Sequence, residues 1–452
     1  MTITKFSTWA ILLVLLPLTW GCIKQESPHP TTLDQELENT LKNVSNGQGK
    51  AFFTLPDSDE LAKIPQDPKN PLTVAKVKLG QMLFHETALA IKPKQEVGMN
   101  TYSCSSCHHA GAGFQAGVKQ GIGEGGTGYG SNGEGRTKHT DYPDNMIDVQ
   151  PLRSPSAMNS AYQQVMLWNG QFGATGLNAG TQANWTPGTP IATNHLGYEG
   201  VEIQAIAGLT VHRMEVNTAV LFPMGYKALF DEAFPNVPEA QRYTNETAGL
   251  AIAAFERTIL ASEAPFQKWL KGDLAAMSDA QKSGAILFFG KANCGSCHTG
   301  PALSSMSFHA LGMSDFSGTG VFGLTPTQIT DAGKGRGGFT KQPSDMYKFK
   351  VPQLYNLSNS PFYGHGGSFT SIKEVVAYKN KAVAQNLQVP QSQLASEFKA
   401  LDLSETELDQ VVAFLQKGLY DANLKRYEPA RLLSGNCFPN ADAQSKTDQG
   451  CN

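Results

Sequence analysis

Apolar residues recur with helical spacing in several stretches of the chain. Near the C-terminus, four of them share one helical face: Leu408, Val411, Val412 and Leu415. Ser404 and Glu407 form the capping box that starts this helix, and Gly418 is its stop signal. A second helix is indicated by Ile252, Phe255 and Ile259. We expect these apolar stripes to form core rather than to contact a cofactor.

Two further helical stretches share the pattern Gly-x-x-Leu-Phe, which indicates an internal duplication whose copies have diverged. The first copy lies within residues 76–84 and the second within residues 283–289. Ser278 and Gln281 form a capping box at the start of the second. Strand patterns are hard to find between these stretches. The fold class predicted from the sequence is therefore mainly α, with one repeat unit in each half.

Each of these helices leads to the motif C-x-x-C-H, which is the attachment pattern of c-type haem. The two copies are Cys104-Ser105-Ser106-Cys107-His108 and Cys294-Gly295-Ser296-Cys297-His298. The thiols can add to the haem vinyl groups while the adjacent imidazole reaches the iron as the proximal ligand. A zinc site or a redox disulfide is the alternative, but the two pairs are far apart and each has its own His. We therefore predict two covalently bound haems c.

Length and charge set the broad class of the protein. A chain of 452 residues exceeds what one hydrophobic core usually organises, which favours two domains. The formal charge of -3 gives no reason to expect nucleic acid or anionic lipid as a partner.

The N-terminus has the pattern of an export signal. Lys5 precedes the apolar run 10–18, which is too short to span a bilayer, and Gly21-Cys22 resembles the end of a bacterial lipoprotein signal. We predict an export signal over residues 1–21, a lipid anchor at Cys22 and a polar tether over residues 22–55.

Cysteine parity agrees with an exported protein. Once Cys22 and the four haem thiols are set aside, Cys437 and Cys451 are left, and in an oxidising compartment we expect them to pair. The predicted result is a disulfide-closed tail over residues 431–452.

A glycine-rich stretch follows the first haem motif. Between residues 111 and 135, 11 positions are Gly, and residues 121–126 formally match the dinucleotide fingerprint G-x-G-x-x-G. That fingerprint needs a preceding strand inside a βαβ unit, whereas a haem motif precedes it here. We interpret the stretch as a loop that wraps close to a haem edge.

The order of motifs resembles that of bacterial di-haem cytochrome c peroxidases and their MauG-type relatives. The segments that carry the resemblance are Gly80-x-x-Leu83-Phe84, Cys104 to His108, Arg153-Ser154-Pro155-Ser156-x-x-Asn159, Trp168-Asn169-Gly170, Val201 to Ala205, Phe255 to Thr258, Cys294 to His298, Phe349 to Pro352 and His365-x-Gly367. The resemblance implies two cytochrome c-like domains, which we place at residues 56–245 and 246–430.

In such proteins the N-terminal haem, here on His108, is the peroxidatic one and needs an open iron face. The position that resembles the distal His of many relatives is Glu124, which implies that the activation switch is absent or altered; a solvent-exposed Glu is the alternative. Gln204 and Glu215 resemble the companion amide and the catalytic acid-base of the family. Glu215 aligns only if one residue is inserted after Gln204, and a solvated surface charge is its alternative.

The second haem, on His298, resembles a site that accepts electrons from a small donor. Trp168 matches the Trp between the haems of relatives, with a core Trp as the alternative. The sixth ligand is left open between Lys379 and Tyr378, with Met313 as a third option. His365 is expected to lie near the domain junction rather than to bind iron.

Relatives also hold Ca²⁺ between the domains through backbone carbonyls and one Asn. Arg153 stands at that Asn here and could itself supply the positive charge, so calcium is doubtful.

The activity implied is reduction of hydrogen peroxide to water, with electrons from a small c-type cytochrome or cupredoxin. The alternatives are a MauG-type oxidase acting on a protein substrate and a non-catalytic di-haem electron carrier or sensor. The location implied is the periplasm, and a homodimer is an option from the family.

Overall fold

The computed structural model describes residues 1, 29–323 and 331–451. The predicted export signal and Cys22 lie outside these residues. The predicted fold class is confirmed, because helices dominate and the strands of the described part are two antiparallel pairs of two residues each. No helix among the described residues is both long and apolar enough to cross a membrane.

The helices and strands are numbered in chain order. The α-helices are α1 (Thr32–Val44), α2 (Val74–His85), α3 (Gly200–Val211), α4 (Thr218–Leu221), α5 (Tyr226–Ala233), α6 (Glu239–Arg242), α7 (Asn245–Thr258), α8 (Pro265–Leu270), α9 (Asp279–Phe289), α10 (Arg336–Thr340), α11 (Ile372–Lys381), α12 (Glu405–Ala413) and α13 (Ala443–Gln449). The strands are β1 (Gly126–Thr127), paired with β2 (Thr137–Lys138), and β3 (Phe308–His309), paired with β4 (Phe349–Lys350). Short 3₁₀ turns join them, among them Gly49–Phe53, Cys104–Ser106 and Cys294–Ser296.

The first half of the molecule is built on α2, which packs against α7, while α7 also packs against α3. Gly80 makes the contact between α2 and α7 close, since a Cβ there would lie 1.9 Å from the carbonyl oxygen of Ala251. The predicted domain boundary after residue 245 would assign α7 to the second domain. Its packing against α2 and α3 groups α7 with the first half.

The second half repeats this arrangement with α9 and α12. A Cβ at Gly284 of α9 would lie 1.9 Å from the carbonyl oxygen of Gln410 on α12. The capping boxes predicted at Ser278 and Ser404 are both present. The predicted stripe of α12 is buried, and Ile252, Phe255 and Ile259 are buried with it in one core cluster. The duplication predicted from the shared pattern is therefore confirmed in the helix packing.

The predicted tether over residues 22–55 is wrong from Thr32 onward, because this segment is folded against the second half. Helix α1 buries Leu37 and Leu41 completely. Its Asp34 pairs with Lys282 of α9 at 2.7 Å and accepts a hydrogen bond from the indole of Trp269 at 2.7 Å. The mostly polar composition of this segment hid an amphipathic helix whose buried apolar residues are Leu37 and Leu41.

The C-terminal tail crosses in the other direction, to the first half. Cys437 and Cys451 are paired, as predicted, with their Cα atoms 6.1 Å apart. Within the closed loop, the carbonyl of Pro439 accepts hydrogen bonds from Ser103 and Ser106 at the first haem motif. Asp442 pairs with the buried Arg136 at 3.3 Å. The tail thus covers the first haem motif and its glycine-rich loop.

Candidate haem sites

The two C-x-x-C-H motifs have the same local geometry. In each, the first Cys begins a 3₁₀ turn, the second Cys caps it, and the His comes next. The Nδ1 atom of His108 lies 3.2 Å from the carbonyl oxygen of Phe114, and that of His298 lies 3.1 Å from the carbonyl oxygen of Leu303. A carbonyl partner at Nδ1 fixes the tautomer and leaves Nε2 for a metal.

Burial keeps both imidazoles neutral, which is the state that binds iron. It lowers the pKa of His108 to about 4 and that of His298 to about 4. The four motif thiols are not in disulfides. Within the described ranges, no group of three or more His, Cys, Asp or Glu side chains is placed to hold a metal ion, which argues against the zinc alternative there. The donor set fits two haems c, each held by two thioethers and one His.

A large cavity lies beside the second motif and extends to the boundary between the halves. Its volume is about 500 Å³, within the range typical of ligand sites. Apolar side chains dominate the wall around His298, among them Phe288, Val351, Leu354, Val376 and Leu415. Such a wall fits a flat porphyrin that must be shielded from water.

Of the residues predicted as sixth ligand, Lys379 lines this cavity and Tyr378 does not. Burial lowers the pKa of Lys379 to about 8, while the neighbouring Cys294 and Cys297 oppose that shift. The hydroxyl of Tyr378 instead donates a hydrogen bond to the carbonyl of Leu311, and its ring packs against aromatic neighbours. Met313 also lines the cavity.

Trp168 and His365 meet at the junction of the two halves. Their ring centroids are 6.3 Å apart, and both residues line the cavity of the second motif. The indole of Trp168 donates to the carbonyl of Arg153 at 2.8 Å. His365 stacks on Phe349 and bonds Asp315 at 3.1 Å, so both its ring face and its Nε2 are engaged. This placement agrees with the predicted junction role of His365.

The two residues predicted to act over the first haem are not equally placed. Gln204 is half-buried on α3, on the face that carries Gly208. Glu215 lies beyond the end of that helix, where its side chain is 36% exposed and pairs with Lys92. The structure therefore gives Glu215 a partner at the surface, and its catalytic role stays a prediction.

Glu124 is fully buried, so the solvent-exposed alternative for it is wrong. Its carboxylate accepts hydrogen bonds from Nε of Arg213, from the backbone amide of Lys94 and from the hydroxyl of Tyr142, the last at 3.0 Å. These partners satisfy the carboxylate within the protein. Residues 121–126 lie in a loop without a βαβ unit, and a Cβ at Gly121 would lie 3.0 Å from the sulfur of Cys107. The loop therefore contacts the first haem motif, and its place at a haem edge stays a prediction.

Sequence reasoning missed two groups near the sites, the half-buried His212 and the buried Lys350. His212 bonds Asp148 at 2.7 Å, two turns beyond Gln204 along α3. Lys350 is buried with Gln163 as its partner and the carbonyl of Val165 at 3.0 Å, and burial lowers its pKa to about 7. For Lys350 a signal existed: Lys-x-Pro-x-x-x-Asn at residues 350–356 repeats Arg-x-Pro-x-x-x-Asn at residues 153–159.

Arg153 stands where relatives were expected to bind calcium, and its surroundings do not fit that ion. Its guanidinium donates to the carbonyls of Ala116, Val118 and Lys119 at 2.6 to 2.9 Å, and to Ser360 Oγ at 3.0 Å. These are the oxygens that a cation would use. A fixed positive charge already engages them, and a second cation beside it would be repelled.

Residues 74–275 match the family described as di-haem cytochrome c peroxidase. The chain is a relative of the di-haem cytochrome c peroxidases and MauG. This match begins at α2 and covers the first haem motif, the junction Trp and α3. The motifs of the resemblance from Gly80 to Thr258 therefore lie inside the matched region, and those from Cys294 onward lie beyond it.

Curated relatives extend the similarity over most of the chain. The methylamine utilization protein MauG of Methylorubrum extorquens is 28% identical over 368 residues, covering 81% of this chain and 83% of that protein. The cytochrome c peroxidase Ccp of Escherichia coli is 29% identical over 394 residues, covering 86% of this chain and 68% of that protein. The cytochrome-c peroxidase IdrP1 of a Pseudomonas species is 28% identical, covering 79% and 84%.

Solved structures share the fold. A MauG-like protein associated with microbial copper homeostasis aligns with a TM-score of 0.55 at 23% identity, covering 82% of this chain and 95% of that one. The diheme peroxidase BthA of Burkholderia thailandensis aligns with a TM-score of 0.51 at 15% identity, covering 80% and 89%. At these identities the likeness speaks to the fold alone.

Proposed function

We propose that this member of the di-haem peroxidase family reduces hydrogen peroxide to water with two electrons from a small c-type cytochrome or a cupredoxin. The family match and the relatives named cytochrome c peroxidases support it. Bound haem supplies a redox-active iron that can take peroxide as a ligand and store oxidising equivalents. In this proposal Cys104 and Cys107 carry the first haem, Cys294 and Cys297 the second, and His108 and His298 bind the irons.

One observation carries the proposal: a single aromatic residue contacts the surroundings of both haem motifs. Trp168 lines the cavity beside His298, and its indole bonds the carbonyl of Arg153. Two residues further on, the backbone of Pro155 lies close enough to His108 to act on its pKa. Trp168 would relay charge between sites that are too far apart for direct contact, so electrons that enter at the second haem could serve chemistry at the first.

The halves differ in what the chain offers on the side of each haem away from the proximal His. Lys379 lines the second cavity, and its lowered pKa favours the neutral amine that a ligand must be, so we propose it as the sixth ligand there in preference to Tyr378. At the first haem, Gln204 would hold peroxide through its side-chain amide. Glu124 is held by Arg213 and Tyr142, which leaves the first iron free to accept peroxide.

A MauG-type oxidase is the second candidate function, and relatives with that name favour it. In that case the same haem pair would remove electrons from a protein substrate. Peroxide is again the oxidant, but turnover with a small reduced donor would be slow.

The location in the periplasm and the lipid anchor at Cys22 remain proposals from the N-terminal sequence. A homodimer remains a prediction from the family.

Electron paramagnetic resonance of the oxidised holoprotein, followed by steady-state turnover, tests the proposal. We expect two haems, one high-spin with an open position and one low-spin with a nitrogen ligand from Lys379, and rapid oxidation of reduced cytochrome c by peroxide. Two low-spin haems in every redox state would contradict the proposal and leave the electron carrier or sensor. Peroxide consumption that requires a protein substrate would favour the MauG-type oxidase.

A further inference from the structure

Three residues spaced four apart, Gln204, Gly208 and His212, mark one face of α3 and its end. A Cβ at Gly208 would lie 3.6 Å from Nε2 of Gln204 and 3.9 Å from Cδ2 of His212. This spacing aligns side chains along a helix. The missing side chain at Gly208 therefore leaves open space between an amide and an imidazole.

A buried carboxylate holds the imidazole of His212. Nδ1 of His212 lies 2.7 Å from Oδ2 of Asp148, which is 5% exposed, while the His212 side chain is 33% exposed. The bond uses Nδ1 and leaves Nε2 for another partner. Burial disfavours protonation of His212, but the charge of Asp148 and the hydrogen bond to it outweigh burial, and the pKa of His212 is raised.

The glycine-rich loop fixes the position of Asp148. The backbone amide of Asp148 donates to the carbonyl of Glu124 at 2.8 Å, and the amide of Gly123 donates to the carbonyl of Asp148 at 2.9 Å. A Cβ at Gly123 would lie 2.6 Å from Oδ2 of Asp148, so any side chain there would displace this carboxylate. The same loop touches the first haem motif at Gly121, beside Cys107.

The pair of His212 and Asp148 lies close enough to the first haem motif for its charges to act there. The charge on His212 lowers the pKa of His108, and the charge on Asp148 raises that of Cys107, although burial is the largest cause of both shifts. Arg213 forms an ion pair with the buried Glu124 and is the other charged group that acts on His212.

We propose that His212, oriented by Asp148, moves the peroxide proton at the first haem, the role that the family resemblance assigns to Glu215. The proposal rests on the proposed peroxidase function. Nε2 of His212 takes a proton from one peroxide oxygen and returns it to the other, the O–O bond breaks, and that oxygen leaves as water. Two donor electrons and two further protons convert the remaining oxygen to a second water. Asp148 stabilises the imidazolium that exists between the two transfers.

The arrangement predicts a particular dependence on pH. His212 must be neutral to accept the proton, so the reaction speeds up as pH rises through its pKa. Because Asp148 raises that pKa, Asp148→Asn moves this limb of the profile to lower pH. The titratable and charged groups that act on the imidazole are Asp148, Arg213 and His108. Glu124 acts on it only indirectly, by pairing with Arg213.

The experiment compares His212→Gln, Asp148→Asn and Glu215→Gln with the matched control His195→Gln in the holoprotein. His195 bonds the carbonyl of Trp185 in the segment between Trp168 and α3. Stopped-flow spectra would record cyanide binding to the ferric first haem across pH, and the second-order rate constant with peroxide. We expect His212→Gln to slow the peroxide reaction about 100-fold and to abolish the pH-dependent limb of cyanide binding. His195→Gln should match the wild type.

Two results would overturn the proposal. The first is a pH-dependent limb of cyanide binding that persists in His212→Gln. The second is a limb that disappears in Glu215→Gln and does not shift in Asp148→Asn. If His212→Gln fails to bind haem, the shift in Asp148→Asn decides alone. Cyanide binding needs no turnover. The wild type could be inert to peroxide and still show the pH-dependent limb of cyanide binding, with His212→Gln losing it. That result would contradict the proposed peroxidase function and keep His212 as a proton acceptor.

Discussion

The two halves of the molecule are alike around the proximal His and differ on the opposite side of each haem site. Both hold the His ring by a carbonyl, and both pack a Gly helix against a second helix, at Gly80 and at Gly284. Lys379 on α11 lines the cavity beside His298, whereas at His108 we propose that Gln204 on α3 takes the corresponding place. A duplicated unit can keep one framework and change one helix. One copy can then bind the oxidant while the other accepts electrons.

The halves also interlock through a crossed pair of backbone bonds at their junction. The amide of Arg153 donates to the carbonyl of His365 at 2.8 Å, and the amide of Lys350 donates to the carbonyl of Trp168 at 2.8 Å. Arg153 and Lys350 are equivalent in the repeat, since each lies two residues before a Pro and six before an Asn. Trp168 and His365 are therefore counterparts, and only one of them is an aromatic suited to carry charge.

Removal of one haem at a time is the strongest way to test this division. Cys104→Ala with Cys107→Ala should abolish all reaction with peroxide, because the oxidant would lose its site. Cys294→Ala with Cys297→Ala should keep a reaction with peroxide in a single turnover and lose steady-state oxidation of the donor. Haem-stained gels and stopped-flow absorbance would measure both. Equal loss in the two double variants would show that the halves are not divided in this way.

The chain ends tie each half to the other, and Asp34 is the critical contact at the N-terminus. Asp34→Asn would leave Lys282 buried without its partner, and loss of one member of a buried pair costs about 3–5 kcal/mol of unfolding free energy. The fold lowers the pKa of Asp34, because hydrogen bonds from Lys282 and Trp269 outweigh its burial. The wild type should therefore lose this stability as pH falls below about 4, whereas the variant should not.

Denaturant titrations at pH 7 and at acidic pH would measure the loss. Lys63→Ala is the matched control, since it breaks only an exposed pair with Glu60 and should leave the unfolding free energy nearly unchanged. A small change in Asp34→Asn would mean that α1 is attached by its apolar face alone.

The two close helix contacts should respond equally if the halves are true repeats. Gly80→Ala and Gly284→Ala each force a Cβ against a backbone carbonyl at 1.9 Å, and such overpacking costs about 1–3 kcal/mol. Thermal unfolding of the holoprotein would record both variants, with the exposed Lys78→Ala on α2 as control. A loss at one position only would mean that the halves have diverged in packing as well as in their distal helices.

The features that the sequence could predict are those specified by residues close together in the chain. The haem motifs, the capping boxes at Ser278 and Ser404 and the apolar face of α12 all depend on spacings of a few residues. The position of Glu215 could not be predicted in this way. Arg213 adopts a left-handed backbone conformation with φ 56°, which turns the chain after His212 and sends Glu215 to Lys92.

Contacts between distant parts of the chain were also beyond the sequence. The capping box of Thr31 and Asp34 is a local signal for α1, but no local spacing shows that Asp34 meets Lys282 and Trp269 in the folded chain. The pair of His212 and Asp148 joins the end of α3 to a glycine-rich loop, and neither residue lies in a recognisable pattern. The disulfide could be predicted from parity, but its contact with the first haem motif through Pro439 could not.

The smallest expected effect concerns the cation at the junction. Arg153 fills the carbonyl cluster, so removal of calcium with EGTA should leave the ferric spectrum, the resonance spectrum of both haems and the unfolding temperature unchanged. The matched variant is Arg153→Asn, which removes the fixed charge and frees the carbonyls of Ala116, Val118 and Lys119. In Arg153→Asn, added calcium should raise the unfolding temperature, whereas in the wild type it should have no effect. If EGTA lowers the unfolding temperature of the wild type or removes a haem signal, an ion must bind elsewhere at the junction. The Arg153 guanidinium would then not replace that ion.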